Sequence, residues 1–109
     1  MSLHKILHSE EFQQILRNEE KFILLKNSTA CPISDEALKE TEKFAGEKPD
    51  APVYYLNVQE SRELSNEIAE TFQVKHESPQ ALLFASGGVA WNASHRNVTK
   101  NSLAEAWSS

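Results

Sequence analysis

Four consecutive apolar residues, Phe22-Ile23-Leu24-Leu25, sit between Lys21 and Lys26. The run is too short for an ordinary helix, and a strand sends alternate side chains to opposite faces. An apolar residue at every position therefore calls for a sheet covered on both sides, the layered arrangement of α/β domains. The flanking segments supply covers. Ser9 stands before Glu10 and Glu11 as an N-cap, and Phe12, Ile15 and Leu16 follow at helical spacing, so residues 9–18 are expected to form a short amphipathic helix. Beyond the run, Ile33, Ala37, Leu38, Thr41, Phe44 and Ala45 trace one face of a helix that starts at Pro32 and ends near Gly46.

Further along, Pro49-Asp50-Ala51-Pro52 forces a turn, and the β-branched and aromatic stretch 53–58 reads as a strand. Ser61 is placed to cap a helix whose stripe is Leu64, Ile68 and Phe72. Residues 74–79 show no period. Residues 80–85 and 89–95 read as strands, the second alternating Val89, Trp91 and Ala93 against Ala90 and Asn92, with Gly87-Gly88 as the hairpin turn between them. Leu103, Ala106 and Trp107 mark a terminal helix capped near Thr99, and Trp91 and Trp107 are expected in or over the core. Strands separated by helices pair in parallel, whereas a two-residue turn joins antiparallel ones. The expected architecture is α/β: a mixed four-stranded sheet flanked by helices, in one domain over residues 1–109.

Composition removes several function classes. A net charge of −5 argues against a nucleic-acid surface or a basic membrane-binding face. No apolar run approaches a bilayer span, and the start of the chain lacks a charged-then-apolar signal. Cys31 is the only cysteine, so no internal disulfide forms, and a reducing cytoplasm is the expected compartment. The N-x-S/T tripeptides at Asn27, Asn92 and Asn97 then read as chance. His4 and His8 are four apart but lack a third ligand, so no metal site is expected.

Cys31 lies between the polar loop Asn27-Ser28-Thr29 and Pro32, whose missing N–H and fixed φ suit a first helical position. The sulfur is thereby placed at a helix N-terminus, where free backbone N–H groups and the helix dipole favour a thiolate. Such sites lower a thiol pKa from about 8.5 to roughly 3.5–7.5. Thiol–disulfide chemistry at Cys31 is the expectation. Ser34 can hydrogen-bond that sulfur or merely fill the first turn. Lys26 can supply a nearby positive charge or stand as an exposed strand-end lysine. Thr29 either contacts a ligand or caps the loop. His76, close to Pro79, can approach Cys31 or stay solvated.

The cysteine after the first buried strand, the proline before the third and the Gly-Gly hairpin together resemble the thioredoxin superfamily. Thr29-Ala30-Cys31-Pro32-Ile33-Ser34 with Ser78-Pro79-Gln80 most resembles its monothiol bacilliredoxins. The resemblance implies a thioredoxin-like fold with Cys31 as the attacking thiol, and Ser34 where dithiol relatives keep a resolving cysteine. It implies that Pro79 is the cis-proline facing the cysteine and that Ser78 pairs through its backbone with the bound thiol or peptide. Thr29, Pro32, Ser34, Ser78, Pro79 and Lys26 are then the thiol-binding set. Two positions depart from the thioredoxin pattern: Leu25 stands where a buried acid is usual, and Ala30 where a tryptophan precedes the cysteine.

With one sulfur, the site can attack once and then requires a thiol from outside the chain. The resemblance implies an oxidoreductase that removes bacillithiol from S-bacillithiolated proteins. Its co-substrate is bacillithiol, with no tightly bound cofactor. Its partners are S-thiolated client proteins and a low-molecular-weight thiol, without nucleic acid or membrane. The alternatives are a redox-sensing or adaptor module that turns nothing over and, by analogy with monothiol glutaredoxins, an iron–sulfur carrier.

Overall fold

The computed structural model describes residues 3–109. Its elements run β1 (Leu3–Lys5), α1 (Ser9–Asn18), β2 (Lys21–Asn27), α2 (Pro32–Glu47), β3 (Val53–Asn57), α3 (Arg62–Phe72), β4 (Gln80–Ala85), β5 (Gly88–Ser94), a 3-10 turn at His95–Asn97, and α4 (Lys100–Ser108). The sheet order is β1-β3-β2-β4-β5. β3 pairs in parallel with both β1 and β2, while β2–β4 and β4–β5 are antiparallel. Among the described residues, five strands rather than four make up the sheet. The added one, β1, is three residues long and contributes one apolar side chain, too little for a period to show. Only its pairing, Leu3↔Val53 to Lys5↔Tyr55, reveals it.

β2 is central, and its alternate side chains build two cores. Ile23 and Leu25 pack with Ala37 and Phe44 of α2 and Leu103 of α4. Phe22 and Leu24 pack on the other face with Phe12 of α1 and Ile68 of α3. Phe22 and Phe84 are cross-strand partners whose rings stack 4.8 Å apart, and Phe12 meets Phe84 edge-on at 5.4 Å. Trp91 and Trp107 are partly buried against the first core, with Trp107 edge-on to Phe44 and under the Lys21 ammonium. Among the described residues, no helix is long and apolar enough to cross a membrane.

Several local expectations shift by a residue or two. His8, not Ser9, is the N-cap of α1, and the Glu11 carboxylate takes up the free N–H groups of Leu7 and His8 at 2.8 and 3.0 Å. Ser9 instead donates to Glu67 of α3 at 3.0 Å. Gly46 lies inside the last turn of α2, which runs on to Glu47 with Lys48 as C-cap. Thr99 caps α4 as expected, its hydroxyl accepting from Ser102 N–H at 3.0 Å.

The hairpin differs more. Ala85 pairs with Gly88, so the turn residues are Ser86 and Gly87, both with positive φ (53° and 81°). That is the twist a two-residue hairpin needs, and Gly88 already belongs to β5. A bulge follows. Leu83 pairs with Trp91 but Phe84 with Val89, leaving Ala90 without a partner. The extra residue reverses the alternation, so Val89 packs on the α1/α3 core while Trp91 and Ala93 pack on the α2/α4 core.

A Cβ at Gly87 or Gly46 would meet no atom within 4 Å, so substitution there isolates backbone preference from packing. Gly87→Ala should destabilise by about 1 kcal/mol, the cost of a left-handed L-residue. Gly46→Ala should stabilise by about 0.5 kcal/mol, because it adds a helix former at an ordinary helical φ. Urea midpoints of the two variants against the parent measure both.

Candidate active site

Strand register brings the two halves of the site together. Lys26 of β2 pairs with Gln80 of β4, so the residue before β4, Pro79, lies beside the start of the loop that leads from β2 to Cys31. The Ser78–Pro79 bond is cis. Pro79 is buried, and its carbonyl accepts from the N–H of His95, which ties the segment to the 3-10 turn at 2.9 Å. Ser78 is half-buried, with its hydroxyl enclosed and without a partner among the described residues.

Cys31 is the N-cap of α2, extended at φ −129° and ψ 124°, with Pro32 as the first helical residue. It is partly exposed and is a free thiol. The backbone N–H groups of Ser34 and Ile33, in the first turn of α2, favour its thiolate and hold its pKa below the ordinary thiol range. The Ser34 hydroxyl adds to that lowering, while partial burial and the carboxylate of Asp35 oppose it. These are the donors that a helix start leaves unpaired. Ser34 is fully buried and also accepts from the Ser28 N–H at 3.3 Å, so one hydroxyl links the start of the loop to the helix that the cysteine caps.

Thr29, Ala30 and Pro32 are exposed. Thr29 uses its backbone: its N–H donates to the side-chain oxygen of Gln59 at 3.2 Å, and the Gln59 amide donates to Ser28 Oγ at 2.9 Å. Gln59, beyond the end of β3, thus braces the cysteine loop, a role that nothing in the sequence spacing signals. His95, bonded to Pro79 and 3.7 Å from Glu77, was equally silent. A groove of about 520 Å³ runs from Ile33 and Glu36 along α2 to His95 and Arg96.

Lys26 requires a correction. It is fully buried, not a strand-end surface lysine, and its ammonium is not open to a ligand. Alternation along β2 sends it to the α3 side, where Nζ donates to the Ser65 carbonyl oxygen at 2.9 Å and lies 3.4 Å from His76 Nδ1. Burial lowers its pKa to about 8. No acid within salt-bridge distance balances it among the described residues.

A family model, Monothiol bacilliredoxin BrxC, matches residues 4–103. The chain belongs to the monothiol bacilliredoxin family. Among solved structures, this bacilliredoxin is similar to a protein described as a candidate oxidoreductase with a thioredoxin fold. The two share 40% identity and a TM-score of 0.92 over 97% of this chain and 94% of that one. Mitochondrial thioredoxin 3 from Saccharomyces cerevisiae superposes with a TM-score of 0.75 at 20% identity, covering 95% of this chain and 92% of its own. Thioredoxin of Malassezia sympodialis does so at 0.80 and 15%, covering 99% and 92%. The fold is that of thioredoxin, and the bacilliredoxin is a thiol oxidoreductase with a single cysteine.

Alkylation of Cys31 followed against pH should have its midpoint below that of a free thiol. Ser34→Ala should move the midpoint up by removing one donor, and Asp35→Asn should move it down by removing an opposing charge.

Lys26 offers a second test. Below pH 8 its folded form is charged and desolvated, so Lys26→Met should stabilise the fold, by about 1–3 kcal/mol at pH 7. Between about 8 and 10.5 the unfolded chain holds a proton that the folded one has lost, so parent stability rises with pH. The gap between parent and variant should therefore close across that window in urea titrations.

Proposed function

We propose that this bacilliredoxin is a one-cysteine thiol exchanger that removes bacillithiol from S-bacillithiolated proteins in the cytoplasm. The observation that carries the reading is the pairing of a thiolate-favouring helix N-cap at Cys31 with a serine at position 34 and no other sulfur nucleophile than Cys31 in the chain. The Cys31 thiolate attacks the bacillithiol sulfur of the client's mixed disulfide. A sulfur–sulfur bond forms between Cys31 and bacillithiol as the old one breaks, and the client leaves as a thiolate that takes a proton from water. A second bacillithiol thiolate then attacks the bacillithiol sulfur held on Cys31, giving the bacillithiol disulfide as the Cys31 thiolate leaves. Each step exchanges one disulfide for another, so no net electrons are needed until that disulfide is reduced elsewhere.

Ser34 cannot resolve the intermediate, so capped Cys31 should persist until external thiol arrives. The loop beside Pro79, with Ser78 half-buried next to it, supports the substrate-binding side of the reading.

Intact mass spectrometry of a bacillithiolated client mixed with the protein should show one bacillithiol mass moving to Cys31 and leaving on addition of free bacillithiol. Absence of the adduct, or equal client reduction by Cys31→Ala, would overturn the proposal. An adduct that no thiol releases would instead identify a sensor.

A further inference from the structure

The ammonium of Lys26 is an anomaly in a chain of this size. A lysine almost never lies fully buried without a paired acid, because desolvating the charge is costly. Here its nearest neighbours are polar but uncharged: the Ser65 carbonyl oxygen of α3 at 2.9 Å, and Gln80 opposite it across β2–β4. From the segment between α3 and β4 comes His76, with Nδ1 3.4 Å from Lys26 Nζ and 3.2 Å from Ser65 Oγ. The charged groups that act on this imidazole are Lys26 and Arg62, which disfavour its protonation, and Glu77, which favours it. Among the described residues, the one side-chain partner of this costly cation is that ring.

An ammonium can only donate. A cation 3.4 Å from Nδ1 favours the lone pair on that nitrogen, where the Ser65 hydroxyl at 3.2 Å can also donate, and so favours the ring proton on Nε2. Desolvation and the two neighbouring cations hold the His76 pKa below its ordinary value, so the ring stays neutral and keeps that tautomer at physiological pH. The imidazole is exposed, and Nε2 has no protein partner among the described residues. The result is a preset N–H donor at the surface, two residues before Ser78.

We infer that Lys26 is a positioning residue which, through Nδ1, fixes His76 so that its Nε2–H donates a hydrogen bond to an acceptor oxygen of the mixed-disulfide substrate. This rests on the proposed thiol exchange. The acceptor belongs either to the small thiol or to the client. His76 acts as a hydrogen-bond donor and transfers no proton. The same segment is tethered at both ends, by Gln80 Nε2 to the Lys75 carbonyl oxygen at 3.0 Å and by His95 N–H to the Pro79 carbonyl oxygen at 2.9 Å. The donor is therefore held in a defined place relative to the segment that enters β4.

Long-range proton–nitrogen NMR on the reduced protein reads the tautomer directly, independent of any turnover. His76 should be the Nε2–H form at pH 7, and Lys26→Met should give a tautomer mixture with a higher His76 pKa. In single-turnover transfer to Cys31, Lys26→Met and His76→Phe should each slow the reaction roughly fivefold to tenfold, the loss of about one hydrogen bond. The double variant should be no slower than the worse single one. His76→Gln, which can place a donor near the Nε2 position, should recover part of the rate, and Cys31 alkylation should be unchanged in all. Clients capped with bacillithiol or with cysteamine separate the two acceptor sources: a loss confined to bacillithiol assigns the small thiol, and a loss with both assigns the client. An Nδ1–H or mixed tautomer in the parent, or unaltered transfer in His76→Phe, would overturn the inference even if Lys26→Met did not fold. If the parent makes no adduct with either capped client, the thiol-exchange reading fails, while the tautomer measurement still decides what Lys26 does to His76.

Discussion

Strand β2 has a neighbour on each edge and a helical layer on each face, and the rest of the molecule is arranged by that enclosure. Every side chain from Phe22 to Leu25 is almost completely removed from water, and each buried side chain of this size is worth about 1.5–3 kcal/mol. Because the strand alternates, one short segment seeds both cores. Its direction also decides where chemistry occurs: β2 and β3 both end at the same edge, and the cysteine loop leaves from there. Open α/β sheets place ligands outside the carboxyl ends of their parallel strands for this reason.

At that edge the same strand changes character. Leu25 is the last apolar residue, and Lys26 and Asn27 continue the alternation with polar side chains that remain buried. Asn27 turns toward Asn57 across β2–β3 and donates to it at 2.8 Å, while its carbonyl oxygen accepts from Val58. Lys26 turns toward α3 and the segment before β4. The end of β2 thus holds both neighbours of the cysteine loop by hydrogen bonds where an apolar contact would have been cheaper. Sites that keep buried polar groups against their own stability are commonly the functional ones.

Cys31 itself depends on much less. The lowered thiol pKa comes first from two backbone N–H groups of α2, which any helix start provides, and only then from the Ser34 hydroxyl. Ser34 has a second task, accepting the Ser28 N–H, so replacing a resolving cysteine by serine keeps the loop tied to the helix while removing the second sulfur. The reactivity of the site and its restriction to one exchange step are thus separable properties, the first from helix geometry and the second from one side chain.

Much of this was legible in the chain. The apolar run at 22–25, the periodic stripes and the Pro32 start required a layered α/β fold with Cys31 at a helix N-terminus, because periodicity and capping are local. The count of one cysteine limited the chemistry, since no folding can add a sulfur. Tertiary structure alone decided the remainder. β1 is recognisable only by its partner, and the β5 bulge inverts an alternation that reads as regular. Lys26 looks like a surface lysine until α3 and the 73–79 segment close over it, and Gln59 and His95 gain their roles only across the fold. Local pattern reports which face a side chain occupies; whether that face meets water, and which distant polar group it meets instead, is a property of the packed chain.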